Sequence, residues 1–168
     1  LYLAGIARVL DMNVLVADPF ATIDDPAIAH LPLDDLLARA DYVVCLAIAN
    51  AQTENLIGKA ALARMQKHAF FINLSRGNLV DEVALAAALR AGGIAGAALD
   101  VGRAPDQMPS PELAELRNVI ATPHVGGLTP QAIEHQSSET VRQVAKIAAG
   151  EVPVGAVNAE HWTRRPRL

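Results

Sequence analysis

The sequence is poor in four things: it has one cysteine, 4% aromatic residues, no apolar run near the roughly 18 residues that cross a bilayer, and no excess of basic charge. Each absence excludes a class. Cys45 has no partner within the chain and sits in the apolar run Tyr42-Val-Val-Cys-Leu-Ala, which predicts a buried, reduced thiol in a cytoplasmic protein and excludes a disulfide scaffold. The net charge of 14 − 18 = −4, with basic residues scattered except at Arg164, Arg165 and Arg167, leaves no electrostatic footprint for nucleic acid. The first residues, Leu1 to Arg8, lack the charged region that precedes the apolar stretch of an export signal, so no export or membrane partner is expected. Of the five histidines none has a second His or Cys at ligand spacing around His124, so no metal site is expected there.

What is present is the composition of a packed α/β domain. The 168 residues correspond to about 1.1 domains at roughly 150 residues each. With 52% hydrophobic and 19% charged residues, a disordered tail, a collagen-like fibre and a coiled coil are excluded. Five short runs read as strands: Asn13 to Ala17, Tyr42 to Ala47, Ala69 to Leu74, Ile94 to Leu99 and Asn118 to Ala121. They are apolar throughout, which predicts strands covered on both faces, as in a parallel sheet between helix layers. Helices are predicted at Leu1 to Leu10, from Asp34, from Gly58, from Asp81 with Gly92 as its end, and from Thr129-Pro130 to about Ala149 before Gly150. The tail from Pro153 reads as irregular. Alternating strands and helices with short links imply right-handed crossovers and a doubly wound parallel α/β sheet. Gly102 to Pro111, with its prolines, reads as a loop outside the carboxyl end of a strand, where such sheets hold ligands.

Three side chains stand at strand tips. Asp18 ends the run Asn13-Val-Leu-Val-Ala-Asp-Pro, where a carboxylate either accepts hydrogen bonds from an adenosine ribose or simply forms the turn before Pro19. The same acid fits an S-adenosylmethionine-dependent methyltransferase. Arg76, just past Phe70-Phe-Ile-Asn-Leu-Ser, either grips a planar carboxylate through two charge-assisted bonds or ties strand-end carbonyls. His124 follows Ile120-Ala-Thr-Pro on a turn with Gly126 and Gly127, and an imidazole there suits proton transfer to and from an alkoxide. His30, His68, His135 and His161 carry no such expectation.

Taken in order, Val14 to Pro19, Phe71-Ile-Asn-Leu-Ser-Arg-Gly-Asn-Leu-Val-Asp-Glu, Gly96-Ala-Ala-Leu-Asp-Val and Ala121-Thr-Pro-His-Val-Gly-Gly resemble the D-isomer-specific 2-hydroxyacid dehydrogenases. The resemblance runs to Val157-Asn158 and implies a Rossmann-like partial NAD-binding domain over residues 1–152, with 153–168 a tail returning toward a substrate domain. It implies that Arg76 holds the substrate carboxylate, that His124 is the acid/base partner of hydride transfer, and that Asp18 holds the ribose of NAD. Asp100 would bond the nicotinamide carboxamide, and Leu74, Ser75, Arg76 and the turn from His124 through Gly126 and Gly127 would line the cofactor. Pro19 and Phe20 supply no basic residue for a phosphorylated ribose, so NAD is expected over NADP. The partner is a small 2-hydroxy or 2-oxo acid, and the assembly a homodimer.

Departures from the family pattern bear on activity. Position 1 falls inside what reads as the first helix, so the preceding strand and glycine-rich phosphate turn are expected to be missing; the remaining sheet would be left with a gap and these residues alone would neither bind NAD tightly nor catalyse. The family places a Glu five residues after the Asp of Leu-Asp-Val, where it bonds the catalytic histidine; here that position is Pro105, and Asp106 is the nearest carboxylate. The loop Ala47-Ile-Ala-Asn-Ala-Gln-Thr lacks the His and Pro common in relatives. Two functional classes follow: an NAD-dependent dehydrogenase, or an NAD(H)-binding sensor that has lost efficient catalysis.

Overall fold

The computed structural model describes residues 2–157 and 159–161. Leu1, Asn158 and the basic tail residues Arg164, Arg165 and Arg167 lie outside the described residues. The strands are β1 (Val14–Val16), β2 (Ile28–His30), β3 (Tyr42–Cys45), β4 (Phe70–Asn73), β5 (Gly96–Leu99) and β6 (Val119–Ala121). The helices are α1 (Tyr2–Val9), α2 (Leu33–Arg39), α3 (Lys59–Arg64), α4 (Glu82–Arg90), α5 (Pro111–Ala114) and α6 (Pro130–Ala148). The chain forms two compact units, one through His124 and one from Val125.

In the first unit all pairing is parallel. β3-β4-β5-β6 form one sheet in sequence order, with Tyr42 opposite Phe70, Phe70 opposite Gly96 and Ala97 opposite Val119. β1 and β2 form a separate pair, with Val16 opposite His30. Among the described residues no strand pairs with both β1 and β3.

The register decides which side chains become core. Val43, Cys45, Phe71, Asn73, Ala97 and Leu99 share one face and are buried with Leu37 of α2, Leu62 of α3, Leu85 and Leu89 of α4 and Leu113 of α5. The opposite face corrects the expectation of strands covered on both sides. Its Tyr42 is 54% exposed, Phe70 42% and Ile120 71%, because α2 to α5 all pack on the other face. Tyr42 and Phe70, in register, stack with ring centroids 5.7 Å apart.

Helix ends follow local chemistry. Asp81 caps α4 by accepting the Ala84 N–H at 3.0 Å, and Gly92 in the left-handed region (φ 65°) lets the Gly93 N–H reach the Ala88 carbonyl at 2.8 Å. In the second unit Thr129 caps α6 through the Ala132 N–H, Pro130 opens its first turn, and Gly150 (φ 76°) ends it. β2 and α5 were not anticipated. Ile28-Ala29-His30 is only three residues long, too short to show a period, and follows Pro26 closely, while α5 begins directly on a proline. The tail also departs from the irregular expectation through a 3-10 turn at Ala159–His161.

Candidate active site

Because β4, β5 and β6 run parallel side by side, residues just past their last members gather at one edge of the sheet. Asn73, Leu99 and Ala121 are in register across the three strands. Arg76 therefore follows the tip of β4, Asp100 that of β5, and His124 that of β6. β4 and β6 are two strand spacings apart, about 10 Å.

Hydrogen bonds tie these tips into one frame. Asn73, 1% exposed, accepts the Ser75 N–H through its side-chain oxygen at 3.1 Å and donates its Nδ2 to the Arg76 carbonyl at 3.0 Å, which fixes the turn. The Ser75 hydroxyl donates to the Ala47 carbonyl beyond β3 at 2.6 Å. The Asp100 N–H donates to the Asn73 carbonyl at 3.2 Å, the Asp100 carboxylate accepts from the Thr122 hydroxyl, and the Thr122 N–H donates to the Leu99 carbonyl at 2.9 Å. Asp100 is a buried carboxylate held by such bonds, as burial of a charge requires. Asn73 and Thr122 lie within the family-like motifs, but their sequence positions alone assign them no role. An amide inside an otherwise apolar strand was the signal for Asn73.

Arg76 is exposed, and one of its guanidinium nitrogens, Nη1, donates to the Ser75 carbonyl at 2.7 Å. The two readings of its sequence position are thus compatible: one donor ties the strand end and the others are left for a ligand. His124 sits at φ 53°, the left-handed region, with its N–H donating to the Thr122 carbonyl at 2.9 Å. Its imidazole has no hydrogen-bond or ion-pair partner among the described residues. Asp106, the candidate substitute carboxylate, accepts the Met108 N–H at 3.0 Å and so shapes its own loop. The loop after β3 is braced internally: Asn50 accepts the Gln52 N–H at 2.8 Å, and the Thr53 hydroxyl donates to the Ile48 carbonyl at 2.8 Å.

Asp18 lies past β1, in the other sheet. Its Oδ1 accepts the Phe20 N–H at 2.9 Å, the turn anticipated before Pro19, while Oδ2 remains for a ligand. His30, given no role from sequence, braces this turn: its Nε2 is 2.8 Å from the Asp18 carbonyl and must be the donor, since a carbonyl only accepts. Leu74 is exposed at the tip of β4. Gly126 and Gly127 belong to the second unit, in a turn closed by the Leu128 N–H on the Val125 carbonyl at 2.9 Å.

The donor set fits a dinucleotide at its two ends. A strand-tip carboxylate with an open oxygen suits a ribose diol, and buried Asp100 with Thr122 offers fixed polar groups at the sheet edge. A glycine-rich phosphate cradle is not among the described residues.

A family profile, the NAD-binding domain of D-isomer-specific 2-hydroxyacid dehydrogenases, matches residues 2–126. D-3-phosphoglycerate dehydrogenase of Synechocystis sp. is 35% identical over 160 residues, covering 94% of this chain and 29% of that protein. Glyoxylate reductase of Thermofilum pendens is 36% identical over 141 residues, covering 84% of this chain and 42% of that protein. The NAD-complexed D-isomer-specific 2-hydroxyacid dehydrogenase of Lactobacillus delbrueckii ssp. bulgaricus superposes with a TM-score of 0.83 at 30% identity, over 90% of this chain and 50% of that one. The chain thus spans between 29% and half of the length of these proteins. With its parallel sheet, its strand-tip residues and a profile match over most of its length, the chain belongs to the D-isomer-specific 2-hydroxyacid dehydrogenase family and corresponds to part of its NAD-binding domain.

Proposed function

We propose that the intact protein is an NAD-dependent dehydrogenase that interconverts a 2-hydroxy acid and its 2-oxo acid. The observation that carries this reading is the frame from Asn73 through Asp100 to Thr122, which holds an arginine and a histidine at the tips of strands on either side of β5. Arg76 binds the substrate carboxylate through paired N–H···O bonds and orients its second carbon. His124 gives a proton to the carbonyl oxygen in reduction and takes it from the hydroxyl in oxidation. NAD, when bound, supplies or accepts the hydride at that carbon. Asp18 holds the adenosine ribose, and with Pro19 and Phe20 beside it the preference is for NAD over NADP. Asp100 bonds the carboxamide; Leu74, Ser75, Gly126 and Gly127 line the cofactor.

Residues 1–152 act as the nucleotide-binding part and 153–168 as the return toward a substrate domain. A cytoplasmic setting is supported by the single buried cysteine. A homodimer is supported only by the general prevalence of closed two-fold assemblies. A second reading, an NAD(H)-binding sensor, is favoured by the His124 imidazole without a carboxylate partner among the described residues. The test is loss of NADH absorbance on scanning 2-oxo acids with the intact protein. Oxidation with one acid, abolished by His124→Gln while NADH binding persists, supports the enzyme; tight NADH binding with no turnover supports the sensor.

A further inference from the structure

Arg103 leaves the loop after β5 and reaches back over two others. Its backbone N–H donates to Glu82 Oε1 at 2.8 Å, its Nε to the Val80 carbonyl at 2.9 Å, and its Nη2 to the Asn78 carbonyl at 2.9 Å and to the Asn55 side-chain oxygen. Nη2 also pairs with Glu54 Oε1 at 2.8 Å, while Glu54 Oε2 accepts from Asn78 Nδ2 at 3.1 Å. Beneath this cluster segments 55–57 and 78–81 run as a short parallel bridge: the Asn55 N–H donates to Asn78 and the Ile57 N–H to Leu79, both at 2.9 Å, and the Asp81 N–H to Ile57 at 3.2 Å. The bridged turn, Gly77–Leu79, follows Arg76 directly.

A lone exposed ion pair would contribute little, but the Arg103 side chain is about two-thirds covered and its planar fork engages backbone carbonyls as well as a carboxylate. Asn55 stands at φ 54° and Gln107, in the same loop as Arg103, at φ 61°, so two of the segments held together include a residue in a costly conformation that needs support. Resting on the reading of Arg76 as the carboxylate anchor, we infer that Arg103 is a positioning residue: it staples the 53–57 segment to the 77–80 turn and thereby sets how Arg76 is presented at the sheet edge.

The test uses the intact protein with Arg103→Met, Arg103→Lys and Arg76→Met, singly and with Arg103→Met and Arg76→Met combined. Amide exchange is read first: Arg103→Met should raise exchange at Asn55, Ile57 and Leu79 while the strand amides of β4 and β5 stay protected. Unchanged exchange at those three amides overturns the inference. In turnover with NADH and the accepted 2-oxo acid, Arg103→Met should raise the KM of the acid by about tenfold, the loss of one well-placed charge-assisted contact, with NADH affinity within about twofold. Arg103→Lys, keeping charge without the fork, should recover part of that loss. Adding Arg103→Met to Arg76→Met should raise KM no further; additive effects, or equal losses for acid and NADH, assign Arg103 a general structural role and overturn the inference. If Arg76→Met leaves KM unchanged, it is the anchor reading that fails, and the stapling of the turn is decided by exchange.

Discussion

Gly77→Ala is the sharpest perturbation the sheet edge offers. A Cβ on Gly77 would lie 2.1 Å from both the carbonyl carbon and oxygen of Gly102 and 2.7 Å from the Arg103 nitrogen. Carbon atoms rest about 3.5 to 4.0 Å apart, so the two backbones must separate by more than about 1 Å. The far side gives no room, since Gly102 itself faces Met108 O at 2.3 Å and Pro109 Cα at 2.6 Å from its own ideal Cβ position. Three backbone segments are stacked in contact, and the strain passes to the bonds of Arg103. Overpacking costs about 1 to 3 kcal/mol and a weakened charged hydrogen bond adds about 1 kcal/mol, so a loss of about 3 kcal/mol is expected. At about 2 to 4 °C per kcal/mol for a domain of this size, the melting temperature should fall by about 6 to 12 °C. The assay is thermal unfolding of the intact protein beside Gly5→Ala, in α1, where an added Cβ meets nothing within 4 Å. That control should gain about 0.5 to 1 kcal/mol from reduced chain entropy. A Gly77→Ala protein that melts within about 2 °C of the parent refutes the argument from close approach.

Burial pushes the Cys45 thiol up, so both protonation and access protect it; native protein at pH 8 should resist alkylation, with rapid reaction only in denaturant. Early alkylation of folded protein would contradict that. The Arg103 guanidinium, then Asn78, holds the Glu54 carboxyl below the usual carboxylate range. A carboxyl lowered on folding contributes stability above its unfolded value and loses it as pH falls through the folded one, so the melting difference between parent and Arg103→Met should be flat above about pH 5 and shrink in more acid solution. A difference of the same size at pH 3 as at pH 7 would detach Glu54 from Arg103; the part carried by the Val80 and Asn78 carbonyls should remain. His124→Asn should be neutral or slightly stabilising in thermal melts, since Asn tolerates φ 53° better than His, while turnover falls by about 100-fold or more; retained turnover removes His124 from proton transfer.

Much of the architecture could be read from local pattern. Runs of four to six residues marked β3 to β6, because a strand's identity is written in its own residues, and Asp81, Gly92, Thr129 and Gly150 marked helix ends because capping involves neighbours in sequence. The uncovered sheet face was not legible: apolar residues such as Ile120 look the same whether a helix covers them or not. Arg76 and His124 could be placed at strand tips because each follows its own apolar run, and parallel order brings them to one edge, whereas Asp100 came only with the family-like Leu-Asp-Val motif. His30 and Arg103 could not, since a bond from β2 to the Asp18 carbonyl, or from residue 103 to residue 55, depends on where separate segments meet in space.

The backbone at this edge points the same way as the side chains. Asn55, Gln107 and His124, all at positive φ, occupy the loops after β3, β5 and β6. Such conformations cost about 1 kcal/mol or more each and persist only where surrounding bonds over-determine them. Asn55 is held by Arg103 and by the Asn78 carbonyl; the Gln107 carbonyl accepts the Gly102 N–H at 2.9 Å and its N–H reaches Ala104 at 2.7 Å. The His124 N–H donates to the Thr122 carbonyl, and the Thr122 hydroxyl donates to Asp100. Through the Thr122 hydroxyl, the buried Asp100 carboxylate anchors the residue whose carbonyl receives the His124 N–H. Replacing Thr122 by Val, which keeps the shape and removes the hydroxyl, should loosen His124 without touching it, and a KM for the acid unchanged beside a lower kcat is the signature expected of that path.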